Sequence, residues 1–466
     1  MTQRSAFARR PLAAALFVAL IAPGMAFAQT AKEKALEARV ADLERQVQLL
    51  LSAQQQQQTQ ITTTQEQVTQ VQAKQATAPA ALPAGKQPIQ NTTILTASNP
   101  GSTFSYGGFI KMDAMVTDTS DGRIADGSSG RLFYVPSTIP VGGPTADGGD
   151  PYADFHAQFS RFWLSADHVT EGGDKLKGFV EMDFFGGGSN ALAGNETATN
   201  TYAVTLRHAY VSWNNWLAGQ TWSNFQDVAA LPDAVDFVGV TDGTTFVRQA
   251  QVRYTKGPFS VALENPETTI RSLAAPATQV TSDENAVPDL TARYVMKGNW
   301  GHLSVAGMLR QFKYLDETDS GAAVSVSGKF NLGASDDIRY MANAGSGIGR
   351  YMAFGLGSDV VLDGNGELQA LDGYGGFIAW RHAFSPKLRA NLMYSASMFD
   401  NDKSLPGWGL ASYALTERSQ SIHANLIYSP LPKLDVGAEI GYGKRELEDE
   451  REGDLKRIQT TVKYSF

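Results

Sequence analysis

The chain places charges inside apolar segments at a spacing of two. In "TFSYGGFIKMDAMV" (residues 103–116), Lys111 and Asp113 interrupt an otherwise apolar run. Alternate positions sort the run into two faces. Phe104, Tyr106, Gly108, Ile110, Met112, Ala114 and Val116 fall on one; Thr103, Ser105, Gly107, Lys111, Asp113 and Thr117 dominate the other. Period two describes a strand with a different solvent on each side. The same projection along the chain places Lys111, Arg161, Lys177, Arg207, Arg253, Arg293, Lys297, Arg310, Lys329, Arg339, Arg381, Arg389 and Lys463 on polar faces. The acids there are fewer: Asp113, Asp167, Glu181, Asp183, Glu264, Asp435 and Glu439. Yet the whole chain has 39 Lys and Arg against 47 Asp and Glu. The remaining acids gather in connections, as with Asp227, Asp233, Asp236 and Asp242, or the run from Glu446 to Asp454. A basic wall in an acidic chain is chemistry for attracting anions, and arginine's planar fork suits bidentate contact with carboxylate or phosphate. The competing reading pairs these cations with the wall acids as braces.

Other chemistry finds little support. "GSGIGRY" (345–351) shares glycines with a dinucleotide loop but lacks its spacing and its βαβ setting. There is no Walker loop, no HExxH and no cysteine, so neither a disulfide framework nor a thiolate metal site is expected. The 6 histidines are scattered without ligand spacing. We expect no catalytic residue, metal or cofactor. Two alternatives remain: a surface hydrolase built on His423 beside Ser421, and a structural barrel tethering the envelope. The net charge of −8, or −11 without the three arginines of the leader, argues against a nucleic-acid partner.

The elements that would hold such a wall follow from pattern. Residues 1–28 read as a signal peptide: Arg4, Arg9 and Arg10, a short apolar core, then "AFA" at 26–28. Residues 29–75 read as a periplasmic coiled coil. Val40, Val47, Gln54, Ile61 and Val68 form one seam; Leu36, Leu43, Leu50, Gln57, Thr64 and Val71 form the other. Residues 76–101 are a Pro- and Ala-rich linker. From 102 to 466 strands alternate with seven short turns ("TEGGDK", "NN", "KG", "KGNWG", "GASDD", "FSP", "SPLPK"). Between the turns come eight longer connections: 118–153, 187–201, 223–247, 266–288, 314–322, 345–367, 399–416 and 447–454. That rhythm predicts an all-β transmembrane barrel of sixteen antiparallel strands, with short periplasmic turns and long outside loops. Closure removes the edges that lipid would not tolerate. Sixteen strands leave an aqueous lumen. Strands 155–169 and 202–213 alternate poorly, and their register is not set by the pattern. The loop 223–247 mixes apolar residues with four aspartates, which suits a segment packed inside the barrel.

Four stretches carry a resemblance: "FSYGGFIKMDAM" at the first strand, "RHAYVSW" (207–213), "AGQTWSNF" (218–225) and "DDIRYMANAGSGIGRY" (336–351). With the leader, coil and linker they resemble the DcaP-like porins. The resemblance implies a homotrimer of sixteen-stranded barrels with periplasmic coils. It also implies uptake of small anionic solutes, such as dicarboxylates and aromatic dicarboxylic acids. It carries over Lys111, Arg207, Arg339 and Arg350 as channel-lining residues; Arg339 is expected to matter for selectivity, though no lone arginine should dominate. Arg161, Arg253, Arg293, Arg310, Arg381 and Arg389 join them by projection. The final "VKYSF" places Tyr464 and Phe466 where an assembly signal for the barrel-insertion machinery is expected. Outer-membrane lipid and lipopolysaccharide are the expected surroundings.

Overall fold

The computed structural model describes residues 102–142, 148–186, 202–275 and 279–466, all within the compact unit Ala97–Phe466. The expected signal peptide, coiled coil and linker lie outside the described residues. Sixteen strands form the barrel. They are β1 (Ser102–Thr119), β2 (Arg161–Val169), β3 (Lys175–Gly186), β4 (Ala203–Trp213), β5 (Trp216–Trp222), β6 (Arg248–Lys256), β7 (Phe259–Glu264) and β8 (Asp289–Gly298). Then come β9 (Gly301–Tyr314), β10 (Glu317–Leu332), β11 (Asp336–Ser346), β12 (Asp372–Ser385), β13 (Leu388–Asp400), β14 (Thr416–Leu431), β15 (Leu434–Leu447) and β16 (Glu452–Ser465). Each pairs antiparallel with its neighbours in sequence, and β16 returns to β1 from Phe109↔Ser465 to Thr119↔Leu455, which closes the sheet.

The alternation read in the first strand is the one observed. Ile110 is 47% exposed on the outer wall and Asp113 is 0% exposed on the inner one. The outer wall carries Phe104, Tyr106, Leu164, Val211, Ile378, Leu392, Ile440 and Tyr464, as a lipid-facing surface requires.

The two segments whose register the pattern left open are irregular for a physical reason. A short strand, Tyr152–His156, pairs with the outer half of β1, and β2 pairs with its inner half. Between them four residues, 157–160, stand opposite three of β1 (110–112), so Phe155 and Leu164, of opposite parity, both point outward. In β4, Glu181 pairs with His208 and Met182 with Leu206, leaving Arg207 as an extra residue in a β-bulge. Bulges re-aim side chains in this way. Val204 and Leu206 point outward before the bulge, Val211 and Trp213 after it.

All seven short turns are present, but one connection differs from expectation. The segment 314–322 is no loop. Tyr314 pairs with Glu317 across a two-residue turn, with Leu315 at φ 54°, so β9 and β10 form one long hairpin. The polar "ETDS" (317–320) is strand standing at the rim. The connection 266–288 and the stretch between β11 and β12, residues 347–371, also hold strands of their own. Thr268–Ser272, Gln279–Ser282, Val360–Leu362 and Leu368–Ala370 make a second, four-stranded sheet.

Candidate functional site

Loop 223–247 runs inside the barrel and is pinned to its inner wall around most of the circumference. At its start, Asp227 caps the 3-10 turn Val228–Ala230 and accepts from Ser327 (3.2 Å), with its carboxylate 2.7 Å from His302 Nε2. The carbonyl of Leu231 accepts from Arg339 (2.6 Å), and Asp233 pairs with Arg389 (2.5 Å) and Arg381 (3.7 Å). The Val235 amide donates to Glu439 (2.7 Å), and its carbonyl accepts from Lys111 Nζ (3.0 Å). Asp242 accepts from Tyr134 (2.9 Å) and from Ser421. Gly243 lies directly on Gly376 of β12: a Cβ on Gly243 would fall 1.9 Å from the Gly376 nitrogen, so only glycine allows this approach.

The first outer connection joins it. Phe133 and Val135 pack with Phe159, and Phe185, Phe237 and Phe354 close round them. Tyr134 donates its amide to Asp236 (3.0 Å). Burial lifts the carboxyls of both Asp236 and Asp242 above the ordinary aspartate range. Burial and the neighbouring Asp242 push the Tyr134 phenol up.

These contacts divide the expected lumen cations into three groups. The first group braces. Lys111 is paired with Asp113 (2.5 Å), Arg339 with Asp337 (2.8 Å), and Arg381 and Arg389 with Asp233, each tying the wall to the inward loop. Arg310 is fully buried between Asp289 (3.1 Å) and Asp359 (2.5 Å) and donates to the Glu267 and Gly347 carbonyls. Arg350 joins the same knot through Asp289 (2.8 Å) and Gln249 (2.7 Å). Together they clamp the outer connections over the barrel mouth.

The second group sits at the bulge. Arg207 donates to Glu181 (2.8 Å) and Asp183 (2.7 Å), and Arg161 lies 3.5 Å and 4.0 Å from the same two carboxylates. Because the bulge points Arg207 and His208 to one side, a single stretch of backbone delivers two inward groups where regular pleating delivers one. The Arg207 guanidinium stands 5.8 Å from the Trp222 ring and 5.6 Å from that of Phe237. Arg248 stands 4.9 Å from the same Trp222. Sequence reading missed Arg248, because it opens β6 at the end of a long connection where no alternation marks a face.

The third group has no acid partner. Among the described residues, Arg253, Arg293, Lys297 and Lys329 have no carboxylate within 4.0 Å, and neither has Arg248. Arg253 donates to the Gln251 side chain (2.8 Å) and the Trp222 carbonyl, and Arg293 to the Gln226 carbonyl (2.6 Å). Among the described residues, the buried Nε of Arg293 has no hydrogen-bond partner. These four line one cavity of about 610 Å³ with Thr221, Gln226, Asp227 and His302.

Ser421 and His423 do not form a nucleophile–base pair. Ser421 donates to Asp242, and His423 Nδ1 is 2.9 Å from Glu439.

The DcaP outer membrane protein family model matches residues 145–466. The crystal structure of the outer membrane channel DcaP of Acinetobacter baumannii is similar at 26% identity and a TM-score of 0.63, over 78% of this chain and 98% of that chain. A loop L8 deletion mutant of OmpT, an outer membrane protein of Vibrio cholerae, matches at 11% identity and a TM-score of 0.48, over 79% of this chain and 100% of that one. An anion-selective porin from Comamonas acidovorans matches at 10% and 0.47, over 78% and 100%. No curated protein matches the chain.

Proposed function

The chain belongs to the DcaP outer membrane protein family, and from that premise we propose that it passes small anionic solutes, dicarboxylates among them, by diffusion through its basic lumen. One observation carries this reading: Arg253, Arg293, Lys297 and Lys329 line one cavity on the inner wall, and among the described residues no carboxylate lies within 4.0 Å of any of them. A paired cation is largely neutralised, so it contributes little field beyond its partner. An unpaired one attracts anions across an aqueous lumen over about 8 Å at physiological salt. The unpaired cations lie on β6, β8 and β10, the braced ones mainly on β1 and β11–β13 under the inward loop. The loop and its aspartates thus compensate one side of the wall, leaving the other to attract solute. Arginine beside Trp222 suits planar carboxylates.

Reversal potentials of purified protein in planar bilayers under a salt gradient test the reading. Anion preference at low salt, fading as salt rises, is expected; cation preference at low salt overturns it. Assembly as a homotrimer in the outer membrane, with Tyr464 and Phe466 serving the insertion machinery, belongs to the same proposal. The trough on the outer face of β1–β5, floored by Ala166, Gly178, Ala209 and Ala218 between Tyr106, Leu164 and Val211, is a seat of the right character for a neighbouring barrel.

A further inference from the structure

We propose that the cavity behind the start of the inward loop is a discrete site for multivalent anions, entered from the periplasm, which makes the channel sided. The inference rests on the reading of the lumen as an anion path, and adds where an anion is held and from which end.

The cavity's place follows from its lining. Gly298, Gly301 and Asn331 belong to it and adjoin the short turns after β8 and β10. Short turns mark the periplasmic end of an outer-membrane barrel. Ser223 and the segment from Gln226 to Ala229 roof it from the lumen side. Within it, Lys297 faces His302 and His302 faces Lys329 in the β-ladders, so the two lysines stand on alternate strands with one residue between. Asp227, the cavity's one carboxylate, is already engaged by His302, Ser327 and its own cap.

The number of cations selects the ligand class. Arg253, Arg293, Lys297 and Lys329 line one cavity whose carboxylate, Asp227, is already engaged. An anion with two or more charged groups, phosphate or carboxylate, therefore gains more there than a singly charged one. At the opposite end a rim cavity repels such a solute: it is lined by Asp372, Asp400 and Asp402, and its Lys403 is paired with Glu448 (2.9 Å). A multivalent anion therefore meets acid first from outside and base first from the periplasm.

The test is inorganic pyrophosphate added to either side of unidirectionally inserted channels at low salt. Current block is expected at several-fold lower concentration from the periplasmic side. The double variant Lys297→Gln, Lys329→Gln should abolish that difference while remaining a heat-modifiable barrel with Arg253 and Arg293 intact. Equal block from both sides in an anion-preferring wild type overturns the sided site and leaves the anion path standing. An unchanged side difference in the folded double variant also overturns it. A wild type that prefers cations and is blocked from neither side overturns both.

Discussion

At the scale of single residues, the partner decides what a lumen cation does. Arg339 and Arg253 both sit on polar faces, yet Arg339 is spent on Asp337 and a loop carbonyl while Arg253 meets only neutral groups. Removing one partner of a partly buried pair strands the other charge and the carbonyl it held. Arg339→Gln should therefore loosen the inward loop, seen as noisier single-channel current and a lower unfolding temperature. Arg253→Gln should leave the unfolding temperature within a few degrees of wild type and lower the anion-to-cation permeability ratio several-fold. Reversal of that pattern between the two variants would show that the pairing does not sort brace from attractor. Arg207 is a brace whose two carboxylates lie close beside it: Arg207→Met leaves Glu181 and Asp183 with Arg161 alone, at 3.5 and 4.0 Å, and should cost about 3 kcal/mol, read as a lowered midpoint of denaturant unfolding.

At the scale of elements, loop 223–247 is held partly by carboxylates that burial makes reluctant to ionise. The folded-state values of Asp236 and Asp242 lie above those of the unfolded chain, so the packed loop binds protons more tightly than the free one. Stability then falls as pH rises through the window from the unfolded aspartate value to the raised one, and acidification through that window restores it. Asp242→Asn removes the charge while keeping an acceptor for Tyr134. It should raise the thermal midpoint at neutral pH, and its advantage should shrink as pH is lowered through the window. Midpoints of both proteins across that range check this, and an advantage independent of pH would count against burial of the charge as the cause. The bulge in β4 is the other element-scale device. It interrupts pleating so that Arg207 and His208 share a side, which no regular strand provides.

For the whole molecule, closure and assembly are the questions. The barrel is sealed by β1 against β16, and at that seam the Phe466 amide donates to the Gly108 carbonyl (3.1 Å) while its ring stands 5.8 Å from Phe162. Deletion of Phe466 removes the last seam contact and the terminal aromatic together, so the amount of heat-modifiable protein in the outer membrane should drop sharply; normal amounts would dismiss a role in assembly. The heptad segment lies outside the described residues, and we propose that assembly rests mainly on the barrel, which closes on its own seam. Removal of residues 30–90 should thus leave trimers and conductance intact. A truncated protein running only as monomer would make the heptad segment the assembly element.

The amino-acid sequence by itself determined the barrel: its class, its strand number, its turn order and the inward or outward sense of regular strands. Period-two alternation is local, and lipid on one side with water on the other writes it into every regular strand. What the tertiary structure alone decided is which charges compensate each other. Asp233 reaches Arg389 across 156 residues and Arg310 reaches Asp359 across 49, and no spacing rule links such positions. The same holds for the bulge at Arg207, the strands within the outer connections and the seating of Gly243 on Gly376, each set by contacts distant in the chain. A lumen cation is legible from its own strand; whether it is free is not, because its partner arrives on a different one.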